Sequence, residues 1–149
     1  LLHDIKRKEK NHAEAGALAA REYLTSLSIN EREGDYIITA IRNHEAFKES
    51  IPTEGFEGAT LSDALYDSDK FRWGPDNFTI TLWSMLEYSH ITPEQFLAHY
   101  PKGIEGVIKI RDTFRSYAGK AYGPEFIDLG LKIGDEIYET LKFMVTGQK

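Results

Sequence analysis

Apolar residues recur at helix spacing from residue 12 to residue 144, with no strand-like alternation of consequence, and this periodicity restricts the chain to an all-α fold. Asn11 is a good N-cap for a helix from His12 to about Ser26, with Ala15, Leu18, Ala19 and Tyr23 on one face. Asn30 with Glu33 resembles a capping box and opens a second helix to about Phe47, its apolar face Ile37, Ile38 and Ile41. Pro52, Gly55 and Gly58 mark a loop over residues 50–59, after which Thr60 and Asp63 predict a third helix running to about Phe71. A fourth covers Asn77–Tyr88. Thr92-Pro93-Glu94-Gln95 starts a fifth, which the Tyr100-Pro101 pair is expected to end. Further helices are predicted from about Gly103 to Tyr117 and from about Pro124 to Met144, giving a bundle of six to seven. Leu1–Ile5 reads as the end of a buried helix, which implies residues upstream, and Lys6–Lys10 as a charged loop.

At 149 residues the chain suits one domain with a real core. It has no cysteine, so a disulfide framework, a Cys-type zinc site and a thiol nucleophile are excluded, and metal ligands must be His, Asp or Glu. A formal charge of −6 disfavours general nucleic-acid binding. No apolar run is as long as a membrane span and no signal peptide is visible, so the expected location is cytoplasmic.

His3-Asp4 stands in an apolar segment, where one imidazole nitrogen and one carboxylate oxygen come within reach of a single cation. His12, His44 and the aspartates Asp67 and Asp69 follow in order. At 100° per residue Asp67 and Asp69 diverge by about 200°, so only one of them readily enters the core. An EF-hand beginning at Asp67 is excluded. Phe71 takes a ligand position, Arg72 stands where glycine is required, and Phe78 replaces the bidentate glutamate.

This order, an H-D pair, later histidines and a distal aspartate followed by lysine (Asp69-Lys70), resembles the HD-domain metal-dependent phosphohydrolases. The resemblance implies a single-domain helical bundle of that type, residues 1–75 forming the metal-site half and 76–149 completing the bundle. It implies His3 and Asp4 as ligands of the main metal, with Asp4 a candidate bridge to a second. It selects Asp69 as the distal ligand, and matches His12 and His44 to the extra histidines of relatives that hold two metals. A first metal-binding histidine is implied upstream of the residues given. One or two divalent ions (Mn, Fe, Zn, Ni or Mg) are the implied cofactor.

Two such ions about 4 Å apart clamp a phosphate and activate water, so no protein nucleophile is needed. That agrees with the absence of cysteine, of a G-x-S-x-G elbow and of a P-loop. The expected function is therefore metal-dependent hydrolysis of a phosphate ester, a phosphomonoester or nucleotide, with Asp4, His12 and His44 at the reacting centre. The alternative is an HD-like sensory or regulatory module that binds metal or nucleotide. Beside their functional readings, His12 can be a plain helix-start residue and His44 a helix-end histidine favoured by the dipole. Glu14 and Glu45 are candidates for proton transfer or for supporting a histidine, or else solvated helix residues. Lys70, Arg115 and Lys120 are candidate substrate-phosphate contacts, with Lys102 beside them, or alternatively parts of helix surfaces and tight connections. Arg7, Lys8 and Lys10 can draw in an anion. The expected partner is a small phosphorylated substrate, and a homo-oligomer is compatible with the sequence.

Overall fold

Side-chain caps mark three of the six helix starts in the computed structural model, which describes residues 2–147, and Asn11, expected to cap the first helix, makes no such bond. Asn30 caps its helix by accepting from the Arg32 amide at 2.9 Å. Thr92 forms the full capping box: its hydroxyl accepts from the Gln95 amide at 3.3 Å, and the Gln95 side chain accepts from the Thr92 amide at 3.0 Å. Ser116 accepts from the Gly119 amide at 2.9 Å. Six α-helices and no strand occur among the described residues. They are α1 (His12–Thr25), α2 (Glu31–Asn43), α3 (Gly55–Phe71), α4 (Leu82–Ser89), α5 (Pro93–Arg111) and α6 (Tyr117–Thr146). A 3-10 turn at Leu2–Asp4 precedes α1, and a π-turn at Asn77–Thr81 leads into α4. The chain packs as two compact units, Leu1–Asp69 and Lys70–Lys149.

In the first unit α1 lies along α2 around Ala17, Ala20 and Ile41, with Leu2, Ile37, Ile38 and Leu65 packed against them. The predicted face of α1 is rotated. Ala13, Gly16, Ala17, Ala20 and Leu24 are buried, whereas Leu18 and Tyr23 are exposed. The cause is steric: small side chains let the two helix backbones approach, and the larger residues turn outward. Leu2–Asp4 is a partly buried 3-10 turn rather than the end of a buried helix; Leu1 lies outside the described residues. Helix α2 stops at Asn43, with His44 as its C-cap, short of the expected Phe47. Helix α3 begins at Gly55, five residues before the expected Thr60. The Tyr36 ring covers Gly58, where an added Cβ would lie 2.8 Å from it, and this contact supports a turn that glycine disfavours by propensity.

The second unit is built on α5 and α6, with Phe78, Phe96 and Tyr100 at its centre. Tyr100 stacks on Tyr138 at 4.8 Å and donates to Asp135 Oδ1 at 3.2 Å. Burial first, and then the Asp135 charge, push the Tyr100 phenol well above its usual range. Two expected breaks do not occur. Helix α5 passes through Pro101 and α6 through Pro124. An interior proline costs one hydrogen bond and a clash, on the order of 3 kcal/mol. Phe96, Tyr100, Val107 and Ile110 are buried on either side of Pro101 and hold the helix across it.

Candidate metal centre

The turn at Leu2–Asp4, the first turn of α1, the end of α2 and the end of α3 bring five side chains together within the first unit. His44 is the most enclosed, 1% exposed. Its Nδ1 lies 2.5 Å from the carbonyl oxygen of Ile41 one turn back, so in the neutral ring Nδ1–H donates there and the Nε2 lone pair faces the opposite way. The imidazoles of His3 and His12 each meet the His44 ring nearly edge-on, with centroids 5.1 Å away. His44 Nε2 and His12 Nε2 stand 3.7 Å and 3.9 Å from Asp4 Oδ1. His3 Nε2 lies 3.6 Å from Asp4 Oδ2 and 3.8 Å from Asp69 Oδ1.

Two groups of three potential ligands result, Asp4–His12–His44 and His3–Asp4–Asp69, and Asp4 belongs to both. Asp69 therefore stands with His3 and Asp4, while Asp67 belongs to neither group; both carboxylates are enclosed, so the expectation that only one of them enters the core does not hold. The feature that tests the fit to a cation is Asp4 Oδ1, which is buried and has no hydrogen-bond partner. A carboxylate oxygen withdrawn from water without a donor is costly. In the neutral ring the Nε2 of His44 in front of it presents a lone pair, and a positive ion between the two completes that arrangement. Metal–nitrogen and metal–oxygen bonds of about 2.0–2.2 Å place neighbouring donors roughly 3.0–3.5 Å apart. The observed 3.7 Å and 3.9 Å need to close by only a few tenths of an ångström. Imidazole and carboxylate donors together suit Mn, Fe, Zn or Ni.

The surroundings hold these ligands in place. Asn43, 4% exposed, donates to the Ile51 carbonyl at 3.0 Å and to Ser62 Oγ at 3.2 Å, and accepts from the Ile51 amide at 2.9 Å. It pins the chain on the N-terminal side of His44 to the following loop and to α3. Sequence reading passed over this residue; its only signal was a buried-type amide directly before a helix-end histidine. Gly16 lets the turn lie against α1, since an added Cβ would meet the His3 carbonyl oxygen at 3.1 Å. Glu45 Oε2 stands 3.9 Å from His12 Nδ1, at the rim of the site. Glu14 instead pairs with Arg42 at 2.8 Å on the surface between α1 and α2. Lys70 is buried in the last turn of α3, Arg115 precedes α6 and Lys120 is exposed in its first turn; all three belong to the second unit. Lys102 is exposed on α5 in that same unit.

Electrostatics favour the binding forms of two of the ligands, His3 and Asp4. Burial lowers the pKa of His3 against the opposing pull of Asp4. For Asp4 burial acts to raise the pKa, but the hydrogen bond and charge of Arg7 outweigh it and the net shift is downward. The unfolded chain therefore takes a proton on His3 before the folded one does. Stability from this group is complete above its ordinary value of 6.5 and declines as pH falls through that value toward the lower folded pKa. Thermal melts of metal-stripped protein should show a fall in Tm below about pH 6.5, and His3→Gln should make that fall shallower. An unchanged pH slope in His3→Gln would contradict the assignment.

Comparison of the chain with protein families, with curated proteins and with solved structures found no match.

Proposed function

We propose that this chain is a metal-dependent phosphohydrolase of the HD type, acting on a small phosphate ester with nucleotides among the candidates. The observation that carries the reading is the buried, unpartnered Asp4 Oδ1 facing two imidazole Nε2 atoms, one of them oriented by a backbone carbonyl. Such a donor set suits a divalent cation. When bound, that cation supplies Lewis-acid polarisation of a phosphoryl oxygen and a more acidic water.

The chain's own residues account for the rest. Asp4, His12, His44, His3 and Asp69 fix the donor atoms from four separate segments, so little reorganisation is left for the reaction. The turn after Asp4 borders an open cavity of about 320 Å³ lined by Asp4, Ile5, Lys6, Arg7, Lys8 and Glu9. Lys6 pairs there with Glu9 at 3.2 Å and Arg7 with Asp4, which leaves Lys8 as the lining cation best placed to draw an anion to the mouth of the site. Glu45, close to His12 Nδ1, is placed to hold that ring or to accept its proton. No helix among the described residues is long and apolar enough to cross a membrane, and the proposal takes the substrate to be small and freely diffusing.

The test is turnover by metal-stripped protein reloaded separately with Mn, Fe, Zn, Ni and Mg. The substrates are an aryl phosphate and a panel of nucleoside mono-, di- and triphosphates. Metal-dependent phosphate release with at least one pair is expected. Tight metal binding with no release from any substrate would replace the enzymatic reading by that of a metal-binding sensory module.

A further inference from the structure

The two oxygens of Asp4 are not equivalent, and the difference is made by Arg7. Oδ1 faces His12 and His44 and has no hydrogen-bond partner, whereas Oδ2 accepts from Arg7 Nη1 at 2.5 Å. Oδ2 is also the Asp4 oxygen that lies 3.6 Å from His3 Nε2, on the side of Asp69. A cation held by Asp4, His12 and His44 needs Oδ1 alone. One held by His3, Asp4 and Asp69 needs the oxygen that Arg7 already occupies.

We propose that Arg7 is a built-in counter-cation that makes metal loading sequential, leaving the Asp4–His12–His44 group open to the first ion and withholding the His3–Asp4–Asp69 group from the second until it swings away. This rests on the metal reading above. The guanidinium supplies one positive charge to a group containing two carboxylates, and it repels a divalent ion approaching the same oxygen. Its side chain is half exposed and reaches inward from the charged turn, so it can leave without disturbing packing. The turn itself is held independently by the backbone bond from the Arg7 amide to the Asp4 carbonyl at 3.0 Å. Displacement is therefore a side-chain rotation, and the half-exposed ion pair that is lost is a weak one.

Mn²⁺ titration of metal-stripped protein tests this, with calorimetry for the stepwise constants and electron paramagnetic resonance for spin-coupled ion pairs. Wild type, Arg7→Gln, Arg7→Lys and His44→Ala are compared. Arg7→Gln should leave the first constant close to wild type and tighten the second by about two- to fivefold, the range expected for removing one exposed ion pair. The coupled signal should then appear at lower free Mn²⁺. Arg7→Lys, which keeps the charge, should stay near wild type. A second constant unchanged or weakened in Arg7→Gln, with the first intact, would overturn the role of Arg7 alone. A His44→Ala protein that binds the first ion as well as wild type would overturn the metal reading, and this inference with it.

Discussion

Asp4→Asn should abolish tight binding of divalent cations and, with it, phosphate release. Asp4 is the one residue shared by both three-ligand groups, so the exchange takes a full negative charge from each and leaves one weaker amide oxygen in place of two carboxylate oxygens. Loss of a partner that merely orients a metal ligand costs about 10–100-fold in affinity or activity. Loss of a shared ligand should exceed that range, leaving metal content after dialysis at background by elemental analysis. The exchange is nearly isosteric, and the Asp4 side chain keeps a quarter of its surface exposed, so the fold should survive, as circular dichroism can verify. His44→Ala should weaken binding of the first ion less than Asp4→Asn does, because one neutral donor of three is removed and the carboxylate charge stays. It should be harsher for stability, because an enclosed ring packed against two others is removed. An Asp4→Asn protein that retains a stoichiometric ion would sink the assignment of the centre.

The second large effect concerns the other unit. Gly130 sits on the buried face of α6, and a Cβ there would lie 2.7–2.8 Å from the backbone carbonyls of Trp73 and Gly74. Backbone cannot rotate away as a side-chain tip can, so Gly130→Ala must shift the Trp73-Gly74 segment or α6 itself. Overpacking of this kind costs about 1–3 kcal/mol, against a gain in helix propensity near 1 kcal/mol. A net loss of up to about 2 kcal/mol in denaturant unfolding is expected. Gly106, in α5, provides the matched comparison: an added Cβ meets nothing within 4 Å. Gly106→Ala should therefore stabilise the chain by about 0.5–1 kcal/mol. If both substitutions shift the unfolding midpoint in the same direction, the close approach at Gly130 is not real.

These two sites differ in how visible they are before the chain folds. Gly130 and Gly134 drew no expectation from the sequence and Gly123 stood before an expected helix start at Pro124; their close packing appears only in the folded chain. In the metal centre the ligand types and their order are plain, but the direction of each lone pair is not. That His44 donates from Nδ1 depends on the Ile41 carbonyl, and that Asp4 Oδ1 is buried depends on α1 and α2 closing over it.

The helical class and several helix starts were legible because they rest on bonds spanning two or three residues. The Asn30 cap, the Thr92–Gln95 box and the period of Ile37, Ile38 and Ile41 are of this kind. Interactions of such short range survive any tertiary arrangement. What the residue order left undetermined depended on neighbours distant in the chain. Leu18 and Tyr23 looked like core and are exposed, because α1 and α2 approach through small residues. Pro101 and Pro124 looked like breaks and are not, because packing beyond a single helix outweighs one missing hydrogen bond. Arg7 reaches Asp4 from three residues away, a local contact, but the histidine side of the Asp4 carboxylate belongs to the folded chain alone, since His12 and His44 approach it only once separate segments meet.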